Sequence, residues 1–339
     1  MPAIFKSNEH MQVVTYTGTG AAQTLYCGFK PDLVWIKSRS ATTDHKLTDS
    51  VRGVTKALIS NTTGTETTDT NGVTAFTDTG FTIGSDSNYN TNGATYVAWC
   101  WKAGQGITST NVNGSITSTV SVNASAGFSV VTYTGTDAAA TVGHGLGVTP
   151  SMIVTFPRTT VTFGNHAVYH ISLGNTKAVK LNLTSAPEIY SGWWNNTSPT
   201  SSVFSVGTFD EVNNISTTYV AYCWAPIAGF SAFGSYTGNG SADGPFVYMG
   251  FRPKFVMVRR TDADGNWVVM DTSREPYNSA DRAVLFPNLT NAEGTGTSPN
   301  DILSNGFKPR NTGVATNASG GTFIYMAFAE NPFKNSLAR

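Results

Sequence analysis

The chain reads as an all-β protein built of tandem antiparallel sandwich or jelly-roll-like modules, in three related copies. Three observations predict this. A pair of strand motifs recurs along the chain, turn residues cut it at short spacing, and helical periodicity is missing. The first copy opens with Val13-Val14-Thr15-Tyr16-Thr17-Gly18 and closes with Thr95-Tyr96-Val97-Ala98-Trp99-Cys100-Trp101. The second opens with Val130-Val131-Thr132-Tyr133-Thr134-Gly135 and closes with Thr218-Tyr219-Val220-Ala221-Tyr222-Cys223-Trp224. The third is looser, from Phe233-Gly234-Ser235-Tyr236-Thr237-Gly238 to Thr322-Phe323-Ile324-Tyr325-Met326-Ala327-Phe328. The copies start about a hundred residues apart, too long for a solenoid repeat and the size of a small domain.

The closing motif is apolar on both alternating sets, as in a strand buried on two faces. A second shared strand follows a proline in each copy: Leu33–Ile36 after Pro31, Met152–Phe156 after Pro150, and Phe255–Val258 after Pro253. Proline suits the start of a strand, where no ladder donor is required. Trp267–Asp271 is a third strand with weaker counterparts. Gly80–Gly84, Phe204–Gly207 and Gly306–Pro309 form a fourth. The repeat divides the chain into an N-terminal arm (1–12), a first module (13–104), a connector (105–127), a second module (128–229), a third (230–334) and a tail (335–339). The connector is rich in Gly, Ser, Thr and Asn, which fits a flexible linker. The even spacing of Ile116, Val120 and Val122 fits a strand on a neighbouring sheet equally well.

Charged residues are 12% of the chain, about half the usual share of a soluble domain. Hydroxyl and amide groups supply the polarity instead, as suits a surface that works outside the cell. The formal net charge is zero. No long-range attraction for nucleic acid follows, and no nucleic-acid partner is expected. Without a run of about 18 apolar residues, no membrane insertion is expected. The N-terminus lacks the basic-then-apolar pattern of a secretory signal. Cys27, Cys100 and Cys223 are an odd set, so a full disulfide framework is excluded. Cys100 and Cys223 share one position in two copies and read as small buried hydrophobes.

The second and third copies carry further motifs. These are His144-Gly145-Leu146-Gly147 with Pro150–Val154, Tyr169–Gly174, Lys180–Leu183, Gly234–Gly240, Gly250–Pro253 and Ala327–Phe333. The pattern resembles a module of bacteriophage tail-fibre and virion structural proteins, of the type found in phages of marine bacteria. That resemblance implies a non-enzymatic virion protein, made in the host cytoplasm and exposed on the particle. A tail fibre or receptor-binding component that attaches to host surface glycans is the first expectation. A capsid or tail decoration protein is the alternative, and a glycan depolymerase the third. The implied partners are other virion proteins, a host glycan or receptor, and further copies of the chain in a homotrimer.

The nucleophile elbow, the phosphate loop and the dinucleotide fingerprint are absent, so no catalytic residue and no cofactor are expected. His166 and His170 are four residues apart on a segment read as a strand, which places them about 13 Å apart and too far to share a metal ion. Asp262, Asp264 and Asn266 resemble the start of a calcium loop, but Gly265 comes early and Ser273 stands where the bidentate Glu belongs. A tight hairpin explains the same residues. The sequons at Asn61, Asn182 and Asn288 read as unmodified loop residues. The candidate recognition site is Trp193-Trp194-Asn195-Asn196. Adjacent tryptophans in an extended segment must point to opposite sides, so one would offer an exposed face for stacking on sugar.

Overall fold

β-Branched and aromatic residues dominate the runs between turns, and the computed structural model accordingly contains 41% strand and 5% helix. It describes residues 4–279, 283–294 and 300–331; the expected tail lies outside these. Every strand pair in the ladders is antiparallel.

Three large sheets have a common strand order. In the first, Met11–Thr17 pairs with Thr95–Trp101, which pairs with Leu33–Ser38 and then Lys46–Asp49. In the second, Phe128–Thr134, Thr218–Trp224, Met152–Pro157 and Ala167–His170 follow the same sequence. In the third it is Ser231–Thr237, Thr322–Ala329, Pro253–Arg260 and Trp267–Asp271. Smaller sheets cover one face of each, for example Gln23–Tyr26, Gly80–Ile83 and Val73–Thr77 over the first.

The apolar alternation of the closing strands explains how the sheets meet. Tyr96, Ala98 and Cys100 enter the core between the first large sheet and its small partner. Val97, Trp99 and Trp101 face the other way, into a cluster shared with Val220, Tyr222, Trp224, Ile324, Met326 and Phe328. The three sheets thus turn one face each toward a common centre. There the Trp101 ring lies 6.0 Å from Trp224 and 5.9 Å from Phe328. These are edge-to-face distances typical of well-packed aromatic pairs.

Buried ion pairs seal two of the seams between sheets. Arg52 pairs with Asp49 and with Glu66, while Arg158 of the second sheet reaches the same Glu66. The Tyr222 hydroxyl donates to Asp49 Oδ2 at 2.8 Å. At the other seam Arg274 pairs with Asp271 and Glu293, Arg39 of the first sheet reaches Glu293, and Trp99 Nε1 donates to Asp271 Oδ2. The position of Asp49 and Asp271 in their strands is held in the second sheet by His170, whose Nε2 lies 3.1 Å from the Tyr325 carbonyl of the third sheet.

The connector contributes two strands. Ser109–Asn111 and Ser118–Asn123 form a ribbon that extends the second sheet beyond Phe128–Thr134. Ile116 and Val120 enter the core beneath it, so the strand reading of that apolar spacing applies.

Candidate functional site

Residues 190–197 do not run extended. Ser191–Trp194 is a single helical turn, closed at Asn195 in the left-handed region with φ 49°. Gly207 permits it, because a Cβ there would stand 2.3 Å from the Gly192 carbonyl oxygen. A helical turn swings neighbouring side chains about 100° apart rather than to opposite sides, so both can turn inward. The expectation of an exposed tryptophan face is therefore corrected: Trp193 and Trp194 are 1% and 2% exposed. Each indole N–H has a partner. Trp193 donates to Glu211 Oε2 at 2.7 Å, and Trp194 donates to the Lys177 carbonyl at 3.1 Å. Asn195 and Asn196 remain exposed at the turn.

The exposed aromatic surface lies one layer further out. Tyr190 is 45% exposed and meets Trp193 edge-on at 5.6 Å. Phe163, 52% exposed, stacks on Phe209 at 5.5 Å, and Phe209 meets both Tyr190 and Trp193. Ile189 adds an exposed aliphatic side chain beside Tyr190 in sequence. Three separate chain segments thus build one aromatic cluster with a buried floor and an open top.

Charge is arranged behind that cluster. Glu211 is buried, accepts from Trp193 and from Asn165 Nδ2, and lies 3.7 Å from Lys180 Nζ. Burial pushes its carboxyl above the ordinary range. Lys180 also pairs with Glu188 at 2.8 Å and stands 5.7 Å from the centre of the Trp193 ring. A raised-pKa carboxyl near a second carboxylate has the composition of a glycosidase pair. Glu211, however, has no accessible surface and its oxygens are committed to Trp193 and Asn165, so its role here is to hold the indole. Phe163 and Glu211 were not singled out in the sequence. The one legible signal was an isolated phenylalanine in a Thr-, Gly- and Asn-rich stretch, residues 159–165.

A second concavity, about 260 Å3, lies where the connector ribbon borders the second sheet. Thr110, Thr119, Thr132, Thr134 and Thr218 line it with Arg158, whose guanidinium is clamped by Glu66. It presents hydroxyl groups rather than apolar surface.

The remaining candidates do not converge. Asp262 pairs with Arg260 and accepts from the Thr322 N–H, Asp264 accepts from the Ala186 N–H, and Asn266 accepts from Asn288 Nδ2. Their oxygens serve four different partners around the hairpin between Pro253–Arg260 and Trp267–Asp271. No group of three His, Cys, Asp or Glu side chains able to hold a metal occurs among the described residues. His166 and His170 are buried and bond to the carbonyls of Ile59 and Tyr325 respectively. The sequon asparagines do one job three times. Asn61, Asn182 and Asn288 accept from the backbone N–H of His45, His166 and Trp267, and donate to Asp44, Asn165 and Asn266. Both ends of each amide are used.

A family model described as a domain of unknown function, DUF7483, matches residues 6–332. The match covers nearly the whole chain, which therefore belongs to that family. No curated protein matches it.

Proposed function

We propose that this member of the family is a non-enzymatic exterior protein of a bacteriophage particle, made of three related β-modules, that attaches to host surface glycans. The observation that carries the reading is the cluster of Tyr190 and Phe163 over buried Trp193. An exposed aromatic face on a rigid floor suits stacking on the apolar face of a sugar ring. The hydroxyl-lined groove beside Arg158 supplies polar surface of the kind that bonds to sugar hydroxyls. A chain with only 12% charged residues supports a role on a particle exterior. The inner faces of three sheets of one chain already pack on a common centre, so in place of a homotrimer we infer a monomeric attachment unit, with avidity supplied by copies on the particle.

The test is adsorption of purified protein to host cells and to their extracted surface polysaccharide. Tyr190→Ala combined with Phe163→Ala should abolish adsorption while leaving the fold intact, since both rings are about half exposed. Adsorption that survives in the folded double variant eliminates this site. Binding to particles lacking the protein, with none to cells, would favour decoration instead.

A further inference from the structure

The three large sheets begin with equivalent opening strands, yet among the described residues only one of these has a strand on its outer side. Phe128–Thr134 is paired there with Ser118–Asn123, which places Val120 opposite Val131 and Thr119 opposite Thr132. Under that cover Val130, Val131 and Tyr133 are buried. In Ser231–Thr237 the corresponding residues Phe233, Gly234 and Tyr236 are only half-buried. The join that precedes this strand, residues 225–230, is too short to supply a ribbon of its own.

The register shows which backbone groups are open. Gly238 N donates to the Gly321 carbonyl, so Gly238, Tyr236, Gly234 and Ala232 bond toward Thr322–Ala329. In an antiparallel ladder the alternate residues then point their N–H and C=O groups away. These are Phe233, Ser235 and Thr237, for which the described residues provide no backbone partner. Edges of this kind are normally blunted by charge, proline or a bulge. Ser231–Thr237 contains no charged residue and no proline, and its pairing with Thr322–Ala329 has no register shift. The Tyr325 side chain lies against Gly234, where a Cβ would stand 2.6 Å from its hydroxyl. An apolar residue placed opposite Gly234 would rest beside that ring.

We propose that the outer edge of Ser231–Thr237 is a docking site for an extended strand from another polypeptide, one that alternates β-branched apolar residues with serine and threonine. The chain itself displays the mode of binding: residues 116–123 have this composition and occupy the equivalent edge of the second sheet. Main-chain hydrogen bonds at Phe233, Ser235 and Thr237 would supply affinity, and the residue facing Gly234 the selectivity. This inference is independent of the glycan reading, because it uses a different sheet and a protein ligand.

The probe is a fluorescent synthetic peptide of residues 109–123, titrated into the whole protein and followed by anisotropy, with a scrambled peptide as control. Saturable binding is expected, with slowed amide exchange at Phe233, Ser235 and Thr237. Ser235→Pro removes one outward donor and leaves the ladder to Thr322–Ala329 in place; it should weaken binding at least tenfold, whereas Ser235→Ala should not. If Ser235→Pro fails to fold, Ser235→Lys with Thr237→Lys serves the same purpose by charging the edge. Absence of saturable binding would overturn the proposal, as would binding that both edge variants leave unchanged. Protection confined to Met11–Thr17 or Phe128–Thr134 would refute it too. So would an edge already protected without peptide, whether by the chain itself or by a concentration-dependent dimer.

Discussion

Acid should loosen this protein before most of its carboxylates titrate. His166 and His170 are buried at seams between sheets, and burial pushes each imidazole down to about 4. His166 is packed on the Phe156 ring at 4.2 Å and bonds to the Ile59 carbonyl; His170 bonds to the Tyr325 carbonyl and accepts from the Ser172 N–H. In the unfolded chain both would titrate near 6.5. The unfolded state therefore binds more protons between these values, and stability falls as pH drops through that window. At pH 5 each histidine costs about 2 kcal/mol relative to neutral pH, so the two together cost about 4 kcal/mol. Burial also holds His45 well below its ordinary value, which adds in the same direction. Paired carboxylates do not confuse the window. Glu66 and Asp69 lie below the ordinary range because Arg158 and Lys46 outweigh their burial. Glu211 works in the opposite sense, since its raised carboxyl favours the folded state on protonation, and Glu211→Gln would remove that contribution. Urea midpoints measured at pH 7.5, 6 and 5 should fall progressively, and His170→Gln should remove part of the slope. Stability that is flat from pH 7.5 to 5 would refute the placement of these histidines.

Other outcomes follow from packing. Trp193→Ala should cost about 3–5 kcal/mol, as for other buried aromatics, because it opens a cavity and leaves the buried Oε2 of Glu211 without its donor; a thermal melt within a degree or two of wild type would contradict it. Cys100 and Cys223 should resist thiol reagents in the folded protein, and serine at either should cost about 1–3 kcal/mol. Fast native labelling of either would count against its place in a closing strand. Arg52→Ala leaves Asp49 buried without its partner and should cost about 3–5 kcal/mol by denaturant titration. Light scattering should give a mass near 36.0 kDa, that of one chain; a threefold mass would restore the trimer.

Much of the fold was legible because β-sheet burial leaves a period of two in the sequence. Val97-Ala98-Trp99-Cys100 is apolar at every position, and the structure buries both faces, one in a local core and one at the centre. The sequence could not reveal that the three inner faces meet, since long-range pairing such as Trp101 with Phe328 leaves no local trace. The recognition segment was misread for a specific reason. Adjacent tryptophans point to opposite sides only on an extended backbone, whereas Gly192 and Gly207 make room for a helical turn that buries both rings. The segment itself was informative, because Tyr190 is its exposed edge. Phe163 joins it only in three dimensions, through Phe209. The asparagines at 61, 182 and 288 look like ordinary loop sequons until their repeated backbone bonds are seen.

The most direct test of the attachment reading uses the tryptophan that the cluster covers. Trp193 lies 5.6 Å beneath Tyr190, so a sugar stacked on that face should perturb its emission. Titration of the protein with polysaccharide extracted from host cells should give a saturable change in fluorescence. The change should disappear in Trp193→Phe while calorimetry still detects binding, and binding itself should disappear in the Tyr190→Ala, Phe163→Ala variant. Saturable binding that persists in the latter variant, or no binding to any surface polysaccharide of the host, would contradict the account.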